Sequence, residues 1–235
     1  MRRFLTRAAR AVLFSLIFTQ AAFAQQAAAP EHDTDIGAFA KEVMILKMEG
    51  GQAQLAMWMP FEFFVDAAAA QSGKPRSAIE SDIAFLKPYI TIAVQHSLDK
   101  PDGSSLYATE AEIRSRAVLR LDDGTEIAPL TTVPPLVSVT LSALKTFIAA
   151  DGGAGNANLH LLIFPNKTAQ GKPVVSTTQK DKLTLTLKNH KTFRAASFTW
   201  RTPFDAATHT PDCPKCKSAM SAKWSYCPYD GQKLP

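Results

Sequence analysis

Tyr89-Ile-Thr-Ile-Ala-Val-Gln95 alternates large aliphatic side chains with small or polar ones, so that Ile90, Ile92 and Val94 fall on one side. A period of two belongs to an extended chain with one face buried, and the stretch therefore predicts a strand. Ahead of it, Ser77-Ala-Ile-Glu80 has the form of a capping box, and Ile79, Ile83 and Leu86 follow on one helical face until Pro88 ends the run. Behind it, His96 is expected as an edge residue, and Asp99-Lys-Pro-Asp-Gly103 is turn chemistry. Helix, strand and turn thus succeed one another within a short span.

The same mixture extends outward on both sides. Towards the N-terminus, Ile36, Phe39, Val43 and Leu46 recur at helical spacing, with Asp33 as a cap and Gly50-Gly51 as the stop. Gln54 to Met59 reads as a strand. Pro60 then opens the dense run Phe61-Glu-Phe-Phe-Val65, which together with Trp58 is expected to fill a core rather than to form a ligand patch. Glu62 and Asp66 can share a helix face, but without a histidine or metal motif they read as a solvated edge.

Towards the C-terminus, Thr109 to Glu112 repeats the capping form and Arg116 to Leu121 returns to strand. Asp122-Asp123-Gly124 closes a hairpin into Thr125-Glu-Ile127. Pro134-Pro135 introduces a helix carrying Val137, Leu141, Leu144 and Ile148, and Asp151-Gly-Gly-Ala-Gly155 is expected as a loop beyond it. A loop that leaves a helix and enters a strand is in the wrong order to cradle phosphate. Leu159 to Phe164 predicts a central strand with His160 at the core edge, and residues 165–182 a polar loop. Leu183, Leu185 and Leu187 alternate with threonines, Asn189-His190 makes a turn, and Lys191 to Trp200 runs back. Phe193 lies out of phase with Phe198 and Trp200, which predicts a bulge or a change of face. The order predicts an α+β domain on a mostly antiparallel sheet of about five to seven strands with packed helices, the alternative being a β-sandwich with inserted helices.

All three cysteines lie in the C-terminal tail, as Cys213-Pro-Lys-Cys216 and Cys227-Pro-Tyr-Asp230. Two short turns that each offer ligands at positions one and four can wrap one tetrahedral Zn²⁺. On these residues the tail, from about Asp212 to Leu234, resembles the bacterial zinc-ribbon family, whose pattern is two Cys-Pro-x-Cys-Gly knuckles joined by a short strand or hairpin. The resemblance covers only this tail. It implies Cys213, Cys216 and Cys227 as ligands, with Gly231 and Leu234 matching the residues after the second knuckle. Two positions depart: Asp230 stands where the family has a fourth cysteine, and Lys217 where the first knuckle has glycine. A structural Cys₃Asp zinc site, a metal-free ribbon with a disulfide, and a redox-active Cys-Pro-Lys-Cys pair all remain open, the zinc site being preferred. His209 is read as a linker histidine rather than a further ligand.

Arg2, Arg3, Arg7 and Arg10 precede an apolar run from Ala11 to Phe18, and Ala22-Phe23-Ala24 offers small residues on both sides of a cleavage point after Ala24. Residues 1–24 therefore predict a secretory signal peptide. The remaining organisation is a flexible spacer at 25–33, the α+β domain at 34–203, a linker at 204–211 and the zinc-ribbon-like tail at 212–235. The whole chain carries +5, but the signal holds four of the 26 basic residues and no acid, leaving 22 basic against 21 acidic residues. A charge near zero takes the electrostatic footing from a nucleic-acid role. No second apolar run approaches the ~20 residues of a spanning helix, so no integral membrane segment is expected after signal removal.

No nucleophile elbow, paired-histidine metal motif or carboxylate constellation with an orienting histidine is written in the chain. The expectation is an exported, non-enzymatic cell-envelope protein, periplasmic or secreted, whose zinc-stabilised tail serves interaction with another protein. The alternatives are a hydrolase-like envelope enzyme with a site assembled in space, and a tail that responds to zinc or redox state.

Overall fold

The computed structural model describes residues 36–167, 173–208 and 211–234. The signal peptide, the spacer, the Asp33 cap and His209 lie outside the described residues. Within them the chain is α+β, with five α-helices and two open antiparallel sheets.

The first helix, α1 (Ile36–Val43), is shorter than its periodicity predicts, because Met44–Glu49 pairs as strand β1 with β2 (Gln52–Met59). Gly50 and Gly51 have φ of 55° and 76°. They act as a hairpin turn, which requires positive φ at both central residues, rather than as a helix stop. Leu46 belongs to the strand and is exposed. Helix α2 (Phe61–Ser72) follows Pro60 and ends at Gly73 in the left-handed region. It brings Phe63 and Val65 into the core, as expected of the aromatic run. Asp66 is buried and paired with Arg76, so it is a structural ion pair and not a solvated edge.

Helix α3 (Arg76–Asp82) starts one residue before the expected cap. Pro75 presets the backbone there, Ser77 falls inside the first turn, and no side chain caps the helix. The second capping box does form. Thr109 accepts from the Glu112 amide at 3.3 Å and donates its own amide to the Glu112 carboxylate at 2.8 Å, opening α4 (Glu110–Arg116). Helix α5 (Pro135–Asn156) runs on through Asp151 to Gly155, so the expected glycine loop is helical. Interior glycines cost a helix roughly 1 kcal/mol each, but they do not forbid it.

Strand β3 (Tyr89–Asp99) organises the first sheet. It pairs with β2 on one edge and, end to end on the other, with β4 (Ser105–Tyr107) and β7 (His160–Pro165). The register puts Ile92 beside Trp58 and Leu162, and Ile90 beside Phe164. Thr91 and Ala93 occupy the other face beside Ile163 and Leu161, and they are buried too. Ile163 packs there with Leu86, Val137 and Leu141. The strand is therefore covered on both faces, its small residues matching a helical layer where water would be expected from the alternation alone.

The second sheet has the order β6-β5-β8-β9, formed by β5 (Ala117–Arg120), β6 (Glu126–Ile127), β8 (Asp181–Leu187) and β9 (Ala196–Thr202). Asp122-Asp123-Gly124 makes the β5–β6 turn, with Gly124 at φ 86° and the Asp123 carboxylate accepting from the Thr125 amide at 2.8 Å. The strands thus divide between two sheets that share one core, where Trp58 meets Trp200 edge to face at 6.2 Å. Phe193 precedes β9 rather than lying in it, which explains its phase without a bulge. Thr202-Pro203 is cis, and Phe204 returns to the core against Trp58 (5.2 Å) and Phe39 (5.9 Å). Among the described residues no helix is long and apolar enough to cross a membrane.

Candidate metal centre

The tail is two tight turns built on one hydrogen-bond plan at a constant sequence offset. The Cys213 amide donates to the Ser218 carbonyl at 2.9 Å, and the Cys227 amide to that of Gln232 at 2.7 Å. Lys217 donates to Cys213, and Gly231 to Cys227, both at 2.9 Å. Met220 donates to Pro211, and Leu234 to Ser225, at 2.8 and 3.0 Å. The bridges Asp212–Ala219 and Tyr226–Lys233 repeat the pattern. Cys213, Met220, Cys227 and Leu234, two from each turn, form a separate small core.

This repetition faces the ligands of both turns towards one point. One sulfur or oxygen atom from each of Cys213, Cys216, Cys227 and Asp230 lies within 4.8 Å of every other. Cys216 and Cys227 are 3.8 Å apart at sulfur, and Cys213 Sγ is 3.5 Å from Asp230 Oδ2. A tetrahedron with Zn–S arms of ~2.3 Å and a Zn–O arm of ~2.0 Å has S–S edges of about 3.8 Å and S–O edges of about 3.5 Å. The donor set and its spacing therefore fit a metal ion of that size. All three cysteines are free thiols. Cys213 and Cys227 are buried, Cys216 is exposed and Asp230 is partly covered.

Local electrostatics differ among the ligands. Backbone donation from Ser218 holds the Cys216 thiol below its ordinary range, and burial pushes Cys227 up to about 11. The Gln232 amide, donating to Asp230 Oδ1 at 2.9 Å, keeps that carboxyl below the usual carboxylate range. Asp230 is thus ready to act as an anionic oxygen donor in the place that Cys216 fills in the first turn.

The tail is fastened to the body of the protein. The Asp205 carboxylate accepts from the Ser221 hydroxyl at 3.0 Å and the Ala222 amide at 2.7 Å. Lys223 reaches Glu42 at 2.9 Å, and Glu42 accepts from the amides of Asp205 and Ala206. Residues 204–208, read as linker, form this junction.

The three described histidines do not meet at one carboxylate. His96, expected at an edge, is fully buried; its Nε2 lies 2.7 Å from Gln52 Oε1, and its ring packs on Phe193 at 4.8 Å. Nearby, the buried Arg116 donates to the carbonyls of Lys188, Phe193 and Arg194. This polar cluster was missed by periodicity, since Gln52, Gln54 and Arg116 carry no apolar signal. His160 is 3.9 Å from Glu110 at a core edge, as expected, with Nε2 at 3.1 Å from the Ala108 carbonyl.

No protein-family model matches this sequence, and no curated protein matches it. Among solved structures the chain is distantly similar to a DUF4426 family protein from Pseudomonas aeruginosa PAO1. Identity is 17%, covering 68% of this chain and 93% of that one, with a TM-score of 0.31.

Proposed function

We propose that this is an exported, non-enzymatic cell-envelope protein, periplasmic or secreted, whose tail is a zinc-ribbon-like module that holds one structural Zn²⁺ and presents a surface to another protein. The observation that carries the metal assignment is the convergence of Cys213, Cys216, Cys227 and Asp230 with the spacing of a tetrahedral site. Three thiolates select zinc among common divalent ions, and a carboxylate completes the shell. The tail's own apolar core is too small to fold a segment of this length alone, so metal binding supplies folding free energy. Export rests on the N-terminal basic and apolar pattern.

Elemental analysis of mature protein purified without added metal, with a thiol count, tests the centre: one zinc per chain and three thiols titrated only after denaturation or chelation support it. A metal-free sample with two cysteines bridged would replace it by the disulfide reading. N-terminal sequencing of exported protein should begin at Gln25, and retention of Met1 would remove the export assignment. A second reading, a tail that responds to redox state, is favoured by one feature: the exposed Cys216 thiol lies 3.8 Å from Cys227.

A further inference from the structure

Trp224, Tyr226 and Tyr229 are 46%, 61% and 76% exposed, and among the described side chains no other aromatic is exposed. Every other described Trp, Tyr and Phe is buried or partly covered, most of them in the shared core. All three belong to the second turn of the tail and the segment leading into it. Tyr226 pairs directly with Lys233 and both are exposed, while the residues that follow them, Cys227 and Leu234, are buried; Trp224 closes the preceding turn by donating its amide to Ser221. Tyr229 stands inside the second turn, where Lys215 stands in the first.

The two turns match at their inward positions and differ outside. Cysteine answers cysteine and Met220 answers Leu234, whereas Asp212 corresponds to Tyr226, Ala219 to Lys233 and Lys215 to Tyr229. Packing around the ligands accounts for the inward agreement. It places no demand on the outward residues, so packing does not explain the concentration of exposed rings on one turn.

We propose that Trp224, Tyr226 and Tyr229, with Lys233 paired beside Tyr226 and Lys215 and Lys217 exposed on the other turn, form a docking surface for an acidic peptide segment of a partner protein. This deepens the interaction role given to the tail above and rests on it. Tryptophan and tyrosine supply rigid contact area with a polar tip, the composition of energetic centres in protein interfaces. The charge sets the partner's sign: these three lysines are exposed, Asp230 is turned into the ligand cluster, and Asp212 is the exposed acid of the described tail. Lys223 is already engaged by Glu42. Tryptophan and tyrosine also sit at membrane interfaces, but this tail adds no exposed large aliphatic side chain to them, since Met220 and Leu234 are buried in its core, and vesicles serve as the competing arm of the test.

The test uses the full mature chain with its zinc content measured first. It is titrated with a short synthetic peptide rich in Asp and Glu, with the same peptide carrying Asn and Gln instead, and with phosphatidylglycerol vesicles. Because Trp58 and Trp200 are buried, a change in tryptophan emission on binding reports Trp224. The expected result is binding of the acidic peptide in preference to its amide counterpart, weakened about tenfold by Tyr226→Ala or Trp224→Ala and reduced by Lys233→Gln and by salt. Thiol count and zinc content should be unchanged in these variants, and Lys233→Gln serves where an aromatic variant loses its metal. Equal affinity for the two peptides, binding insensitive to all three substitutions, or vesicle binding without peptide binding would overturn the proposal. Peptide binding by a chain that purifies without zinc would keep this surface and remove the metal assignment; a zinc-loaded chain that ignores the peptide would do the reverse.

Discussion

Lys217 and Gly231 occupy equivalent places in the two turns of the tail, with φ of 61° and 71° and the same amide donation to the cysteine that opens each turn. The hydrogen-bond plan demands a left-handed residue after the fourth position whatever the side chain there. A lysine meets that demand at a cost of roughly 1–2 kcal/mol, which glycine avoids at the expense of a freer unfolded chain.

Lys217→Gly should therefore stabilise the tail by a net of about 0.5–1 kcal/mol. Hydrogen exchange of the tail amides, followed by mass spectrometry, should slow in the variant. Unchanged or faster exchange would mean that the lysine makes a compensating contact.

Asp230→Cys should convert the cluster to four thiolates and raise zinc affinity by about tenfold or more, since thiolate is the softer donor. Asp230→Ala should lower affinity below the parent. Competition against a chromogenic chelator ranks the three proteins, and an Asp230→Ala variant that binds zinc as tightly as the parent would show that Asp230 is not a ligand.

His96 gives the body of the protein a defined pH response. Burial, reinforced by the positive charge of Arg116, lowers it from 6.5 to about 4. Gln52 and Gln54 are its neutral side-chain neighbours, and Phe193 covers its ring. The unfolded chain takes up the proton near pH 6.5 and the folded chain only near 4, so stability is level above the first value and falls as pH drops towards the second. The loss amounts to about 3 kcal/mol at most. Denaturant midpoints in that window should decline, and His96→Gln should flatten the decline relative to the parent.

Phe204 and Asp205 test how the tail is held. Phe204→Ala removes a fully buried ring from between Trp58 and Phe39 and should cost about 3–5 kcal/mol of global stability by chemical denaturation. Asp205→Ala should leave the global midpoint nearly unchanged. It should speed exchange at Ala222, whose amide loses its acceptor.

Much of the secondary structure was legible because it follows local rules. Thr109 and Glu112 cap a helix by their own reach, Gly124 permits its hairpin, and the leucines of β8 alternate as a strand with one buried face. Where a local rule had a competitor, pairing decided. Met44–Glu49 has the spacing to continue a helix, yet Gly50-Gly51 folds it back on β2, and Ser77 lost its capping role to Pro75.

By itself the sequence determined the α+β class and the four candidate ligands, because alternation, capping and ligand spacing are properties of neighbours along the chain. Only the tertiary structure decided that the strands divide between two sheets, that β3 is covered on both faces, and that His96 and Arg116 are buried together. Only it revealed that Phe204 belongs to the core and that both turns of the tail face one point. Those outcomes depend on which surfaces remain uncovered once the strands have paired, and that is set by contacts between residues far apart in sequence.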